Sequence, residues 1–134
     1  MRHLAMSVVL AAGLLYLTLL APVQAQDAAT TFEGTHEAGG TVRFTIGPGG
    51  GQIVALELEG LAGGGCSWGT VDLANWGDAI PFADGTFSAT NPDGDAIQGQ
   101  FVDASRAEGT VQVRDPTKGC ETPPLRWVAA IVHP

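Results

Sequence analysis

Basic residues are scarce in this sequence. Six lysines and arginines stand against fourteen acidic residues in 134 positions, and the formal net charge is −8. Nucleic acids and anionic membranes are bound largely by lysine and arginine side chains that neutralise phosphate groups. The shortage of bases therefore argues against both kinds of partner. The acids are scattered along the chain, which is typical of a folded, soluble surface and not of a disordered acidic tail.

Cysteine is rarer still, with Cys66 and Cys120 as the two examples. They form no C-x-x-C pair, and His36 and His133 lie near opposite ends of the domain, so no zinc-ligand spacing is present. Two cysteines in an exported chain form a disulfide by default. We therefore predict a Cys66–Cys120 bridge, which would close a loop of about 55 residues and stabilise the fold by roughly 4 kcal/mol in the chain-entropy model.

The N-terminus indicates export. Residues 1–25 begin with a basic segment, continue with a long apolar stretch and end in small residues after a proline. This is the pattern of a secretory signal peptide cleaved after Ala25. The alternative is an uncleaved anchor, since the apolar stretch nearly reaches the ~20 residues that span a bilayer. Cleavage would leave one domain, residues 26–134, with a net charge of 5 − 14 = −9, secreted or periplasmic and free of the membrane.

Helical periodicity is missing from residues 26–134, and alternating segments separated by turn residues take its place. In "IVALELEG" the alternation puts Val54, Leu56 and Leu58 on one face. Further alternating segments are "TVRFTI", "TFSAT", "AIQGQFVD", "GTVQVRD" and "LRWVAAIVH". About eight or nine such strands predict an all-β fold with one disulfide, as an antiparallel β-sandwich of the Ig-like or jelly-roll-like kind. A small β-barrel is the alternative.

Several short motifs follow one another in a recognisable order. "GTVRFTI", a cysteine, "DGTFSA", "IQGQF", "AEGTVQV" and "CETPPLRWVAA" resemble a loosely defined group of secreted bacterial β-sandwich domains. The group's pattern is GTxxF, Cys, DGxFS, IxGxF, AxGT, and finally CxT with WxA, and the resemblance covers about residues 32–130. This chain departs from the pattern where Pro123, Pro124 and Leu125 crowd the gap before Trp127. The group has no established activity, so the resemblance implies a fold and no catalytic residue.

Two tryptophans lie in the glycine-rich segment "GGGCSWGTVDLANWGDA". Trp68 and Trp76 could form a platform for a sugar ring, because an indole offers an apolar face and a polar edge. Asp72, Asn75 and Asp78 would then bind the sugar hydroxyl groups. In the alternative interpretation, one tryptophan packs on the disulfide and the other fills a barrel end.

A weak metal-binding pattern occurs in "NPDGDAI". Asn91, Asp93 and Asp95 alternate as in the opening of a calcium loop. The glycine, however, stands at position 94 instead of 96, and Val102 occupies the twelfth position, where a carboxylate is needed. A Pro-Asp-Gly turn between two strands explains the same residues without an ion. We therefore expect neither a metal nor a cofactor.

Candidate catalytic residues are few. His36, beside Glu37 on a predicted edge strand, is the one histidine of the domain away from its terminus, and no serine lies in a G-x-S-x-G context. The leading hypothesis is a secreted, non-enzymatic module that binds a protein or glycan partner, or has a structural role, through loops or a strand edge. The alternative is a small carbohydrate-binding module using Trp68 and Trp76. A third is a hydrolase or a hydrolase inhibitor, with His36 as the residue to test.

Overall fold

The computed structural model describes residues 28–132, which form thirteen β-strands and a 3₁₀ turn at Leu73–Asn75. The strands are β1 Thr30–His36, β2 Thr41–Ile46, β3 Gln52–Glu59, β4 Ala62–Gly63, β5 Cys66–Ser67, β6 Thr70–Asp72, β7 Ile80–Ala83, β8 Thr86–Thr90, β9 Ala96–Asp103, β10 Arg106–Gln112, β11 Arg114–Asp115, β12 Cys120–Glu121 and β13 Leu125–Ile131. The predicted all-β class is confirmed. No helix in this range has the length and apolar character that crossing a membrane requires. The predicted signal peptide lies outside the described residues.

One antiparallel sheet closes into an eight-strand barrel. Its neighbours follow chain order, β1–β2–β3–β7–β8–β9–β10–β13, and β13 pairs back with β1. Strands β6 and β7 both pair with the same side of β3, at Glu57↔Asp72 and Ile53↔Ile80. Together they occupy the place of one strand in the barrel, with an interruption between them. This is an up-and-down barrel. The structure therefore agrees with the barrel alternative and corrects the sandwich prediction, because a sandwich requires two separate sheets.

Aromatic rings fill the barrel interior. Phe32 stacks on Phe44 with ring centroids 5.0 Å apart, and Phe101 packs against both rings at 5.5 and 6.2 Å. Phe87 stacks on Trp127 at 6.0 Å. An eight-strand barrel has an interior just wide enough to be filled by side chains. The alternation predicted for most strands is confirmed by this packing.

Strand β3 departs from the predicted alternation at one point. Ile46 pairs with Ile53, but Thr45 pairs with Ala55, so an extra residue bulges out of β3 between them. A bulge of this kind reverses which residues face inward on its two sides. Ile53 is consequently fully buried, whereas Val54 is 40% exposed. The prediction that Val54 faces the core is wrong.

The two ends of the barrel differ. At one end, a β4–β5 hairpin and a β11–β12 hairpin project from the barrel, and the Cys66–Cys120 disulfide joins them with a Cα–Cα distance of 6.1 Å. The predicted disulfide is confirmed. Leu61, Val113 and Thr122, which flank these hairpins in the chain, are at most 1% exposed. Within residues 28–132, the other end has short connections between its strands and is open.

Candidate functional site

Four residues of the sequence motifs meet in one row across the inside of the barrel. Phe87 pairs with Gly99, Gly99 with Gly109, and Gly109 with Trp127. A Cβ added to Gly99 would lie 2.5 Å from Phe87 Cζ and 2.6 Å from Trp127 Cζ2. The two rings thus occupy the space that side chains at the glycines would take. These four residues are termed the inner row, and each of the fragments DGTFSA, IQGQF, AEGTVQV and LRWVAA contributes one of them.

The outer surface of the barrel is indented across the same row. A cavity of about 920 Å³ lies over β7, β8, β9, β10 and β13, and the inner-row residues belong to its lining. Because their side chains point inward, these residues contribute backbone to its floor. Outward-facing side chains flank that floor, namely Ser88, Gln98, Thr110 and Arg126 on one side, Thr86, Gln100, Glu108 and Val128 on the other, and Pro81 and Ala83 at the β7 end. This cavity is termed the polar groove.

Strand geometry sets the size of the polar groove. Its two flanking lines are two residues apart along each strand, or ~7 Å, and the four strands from β8 to β13 span ~14 Å. Five of its seven outward-facing polar side chains carry hydroxyl or carboxamide groups, which both donate and accept hydrogen bonds. Gln100 Nε2 donates to Glu108 Oε1 at 3.3 Å. The charged lining residues are Glu108 and Arg126, so the groove is neutral on an otherwise acidic protein.

The groove residues were not among the sequence-based site candidates. Gln98, Gln100 and Thr110 are the polar members of alternating strands, and outward polar residues are expected on any half-buried strand. What the groove residues share is a position on a cross-strand line, such as Ser88–Gln98–Thr110–Arg126. This line can be recognised only when the pairing registers are known. No local pattern in the sequence could therefore have identified them.

The two predicted sugar-platform tryptophans are half-buried and pack against the core. Trp76 Nε1 donates to the backbone carbonyl of Asp95 at 3.2 Å. The backbone N–H of Trp68 donates to the backbone carbonyl of Leu61 at 2.9 Å. Neither ring lines the polar groove. Both rings thus pack on the core with part of their surface in solvent, and the Trp76 indole also has a hydrogen-bond partner.

The predicted hydroxyl-binding partners of those tryptophans have different local roles. Asp72 accepts a hydrogen bond from the Ala74 backbone N–H at 3.1 Å and caps the 3₁₀ turn. Asn75 is half-buried and donates to Asp95 Oδ2 at 3.1 Å, while Asp78 is exposed. Trp76 and Asn75 thus converge on Asp95, and Asp72 serves a backbone cap.

Asp95 is the centre of a buried polar network. It is 6% exposed, and its carboxylate accepts from the side-chain amides of Asn75 and Asn91, both at 3.1 Å, and from the backbone N–H of Arg114 at 2.7 Å. Asn91 Oδ1 in turn accepts from the backbone N–H groups of Asp93 and Asp95. Three N–H donors thus already satisfy the carboxylate that a cation would need. Across the described chain, no three His, Cys, Asp or Glu side chains are placed to hold a metal ion.

His36 has a structural environment. It is 6% exposed on β1, which pairs with both β2 and β13, so the edge-strand prediction is wrong. Its Nε2–H donates to the Glu59 carbonyl at 2.7 Å, and its Nδ1 accepts from the Ala38 backbone N–H at 3.2 Å. The Glu37 side chain accepts from the Arg126 backbone N–H at 2.6 Å. Both imidazole nitrogens are therefore engaged, and a catalytic base at His36 would have to break one of these bonds.

Comparison with models of protein families, with curated proteins and with solved structures found no match for this chain. The resemblance to secreted bacterial domains therefore remains a prediction from motif order.

Proposed function

We propose that this protein is an exported, non-enzymatic binding module that holds a neutral, hydroxyl-rich chain, such as a glycan, in the polar groove. The observation that carries the proposal is the pair of hydroxyl and carboxamide lines flanking a backbone floor. Glutamine and threonine side chains both donate and accept hydrogen bonds, as sugar hydroxyl groups do. Export is supported by the apolar N-terminal segment and by a disulfide that persists in oxidising compartments.

The charge and shape of the groove favour this ligand class. The groove balances Glu108 against Arg126, which suits a neutral ligand better than an anionic or cationic one. Pro81, Ala83 and Val128 add apolar surface at its two ends, where the C–H faces of a sugar chain could pack. A groove of ~14 Å by ~7 Å suits one extended chain. Recognition through a strand edge has less support, because the free edges in residues 28–132 belong mainly to short strands such as β6, which has three residues.

A binding assay with paired variants tests this proposal. Affinity electrophoresis against a panel of neutral polysaccharides should retard the wild-type protein with at least one member of the panel. Gln98→Ala and Thr110→Ala should each weaken that interaction about five- to ten-fold, the equivalent of one hydrogen bond of about 1–1.4 kcal/mol. Thr41→Ala, an exposed change on β2 outside the groove lining, is the matched control and should leave it unchanged. Retardation that Gln98→Ala and Thr110→Ala leave intact would refute the groove as the site.

A second surface for the same function is the predicted Trp68 and Trp76 platform. The partial exposure of both rings favours it. Trp68→Ala separates the two surfaces, because Trp68 does not line the groove. Loss of binding in Trp68→Ala, with full binding in Gln98→Ala, would place the ligand on the tryptophans. Trp76 is the poorer probe because its indole N–H also holds the Asp95 segment.

A further inference from the structure

The open end of the barrel contains a second cavity, separate from the polar groove. It has a volume of about 460 Å³. The large apolar side chains that line it are Phe32, Ile46, Phe82, Phe101 and Ile131. This cavity is termed the mouth. The disulfide-linked hairpins lie at the opposite end of the barrel and therefore do not obstruct the mouth.

Aromatic packing closes the mouth from below. Phe32 is stacked on Phe44 at 5.0 Å, and Phe101 packs against both rings, so a ligand cannot pass deeper into the barrel. Phe82 contacts Phe101 at 5.4 Å, and both of these rings are half-buried. Small-molecule sites typically have volumes of ~300–1,000 Å³, are lined mainly by apolar and aromatic side chains, and occur in the mouths of β-barrels. The mouth has all three properties.

The β2–β3 loop leaves one side of the mouth uncovered. Gly47 and Gly50 belong to the lining, and they offer backbone without side chains. Gly49 and Gly50 adopt positive φ angles of 87° and 72°, a conformation that L side chains rarely adopt. A Cβ built on either residue would meet no atom within 4 Å. Among residues 28–132, the loop therefore leaves an entrance to the aromatic surface.

The charge at the rim restricts the ligand class. Asp103 is the charged residue in the lining, and its carboxylate accepts from the backbone N–H and the hydroxyl of Ser105, both at 2.8 Å. These two bonds lower the pKa of Asp103, so the rim is negative at neutral pH. Arg106 interacts with this carboxylate but does not line the cavity. An anionic head group would meet a negative rim, whereas an uncharged ligand would not be repelled.

We propose that the mouth binds one small, uncharged, apolar molecule in contact with Phe82 and Phe101. Its volume of about 460 Å³ lies in the lower half of the ~300–1,000 Å³ range of small-molecule sites. A peptide or protein partner could insert little more than one side chain into a space of this size. This site is independent of the polar groove and of its proposed glycan ligand.

Fluorescence titration of the purified, disulfide-intact protein with 1-aminoanthracene, a neutral aromatic probe, tests the proposal. Emission should rise and saturate at one probe per chain. Decan-1-ol should displace the probe at least ten-fold more effectively than decanoate, which has the same chain length and a negative head. Ala104→Trp, which fills the mouth from an exposed lining position, should weaken probe binding at least ten-fold. Ala38→Trp lies in the exposed β1–β2 turn, at the end of the barrel that carries the disulfide-linked hairpins. It is the matched control and should bind the probe as the wild type does.

Three outcomes would overturn the proposal. The first is a titration without saturation, and the second is equal binding by Ala104→Trp and Ala38→Trp. The third is sedimentation showing that wild-type protein self-associates and that Ala104→Trp abolishes the association, which would make the mouth an interface between copies. A urea unfolding curve for each variant confirms that both remain folded, so weak binding by Ala104→Trp cannot be attributed to unfolding. Probe binding that persists when the polar-groove variants lose glycan binding would show that the two sites are independent.

Discussion

The packing of Phe87 and Trp127 over Gly99 makes Gly99→Ala the most informative substitution in the barrel. A Cβ at this position would lie 2.5 Å from Phe87 Cζ and 2.6 Å from Trp127 Cζ2. Carbon atoms in favourable contact are ~3.5–4.0 Å apart, so both rings would have to retreat by about 1 Å. The rings already pack against other aromatic side chains, which leaves them little free space. Overpacking of this kind typically destabilises a fold by about 1–3 kcal/mol.

Thermal and urea unfolding under oxidising conditions measure this effect. For a domain of this size, 1 kcal/mol lowers Tm by ~4–8 °C, so we expect a decrease of roughly 5–20 °C. Gly69→Ala is the matched control, because a Cβ there would meet no atom within 4 Å. That substitution should be neutral, or stabilising by up to ~1 kcal/mol through a less flexible unfolded chain.

A double variant identifies the cause of the destabilisation. If ring contact is responsible, Gly99→Ala should cost less in a Phe87→Leu background than in the wild type, because the smaller side chain yields space. Equal stability of the Gly99→Ala and Gly69→Ala proteins would refute the inner row as described. An identical cost of Gly99→Ala in both backgrounds would exclude the Phe87 ring as its source.

The remaining predictions concern the disulfide, the buried network and an exposed turn. Cys120→Ser should lower the free energy of unfolding by about 4 kcal/mol, because the bridge closes a loop with a sequence separation of 54. Chemically reduced wild-type protein should unfold at the same urea midpoint as this variant. A variant midpoint equal to that of the oxidised wild type would contradict the prediction. Asp95→Ala should lower the free energy of unfolding by about 3 kcal/mol, because it leaves buried N–H donors unpaired. Asp93→Ala should change that free energy by less than ~0.5 kcal/mol, and EDTA should leave Tm unaltered. The Asp115 carboxyl should titrate by NMR below the ordinary 3.8, because hydrogen bonds from the Thr117 hydroxyl and the Lys118 N–H lower its pKa; the matching stabilisation is present above the ordinary pKa and is lost as pH falls through the lowered one. Thr117→Val should return that midpoint toward 3.8, and an unchanged midpoint would show that the Thr117 hydroxyl does not bond Asp115.

Alternation along the strands was sufficient to predict the all-β class, but not the way the sheet closes. A sandwich and a barrel both bury one face of each strand, so the pattern Val42, Phe44, Ile46 is the same in either fold. The distinction depends on long-range pairing, above all that of β1 with β13 at Phe32↔Ile131, which no local signal encodes. The disulfide was predictable because a sequence with two cysteines has one possible intramolecular pairing, and its N-terminal segment predicts export.

Site prediction failed where register or burial was decisive. The bulge in β3 moved Val54 to the surface, and no turn residue in "QIVALELE" marks it. His36 looked accessible because the second neighbour of β1 is the last strand of the chain. Asn91 and Asp95 have the spacing of metal ligands, but in this fold that spacing allows the two residues to hydrogen-bond to each other in the network around Asp95. The polar groove likewise required knowing which residues pair across four strands.

The most direct measurement for the proposed function is a two-dimensional ¹H–¹⁵N NMR titration with the polysaccharide that most strongly retards the protein. The amides of Gly99 and Gly109 lie on the floor of the groove, and the side-chain amides of Gln98 and Gln100 lie on its two sides. We predict that these signals shift together and saturate, while those of the Thr41 backbone amide and the Trp68 indole remain fixed. Shifts confined to the Trp68 segment, or none at all with any member of the panel, would contradict the assignment of recognition to the groove.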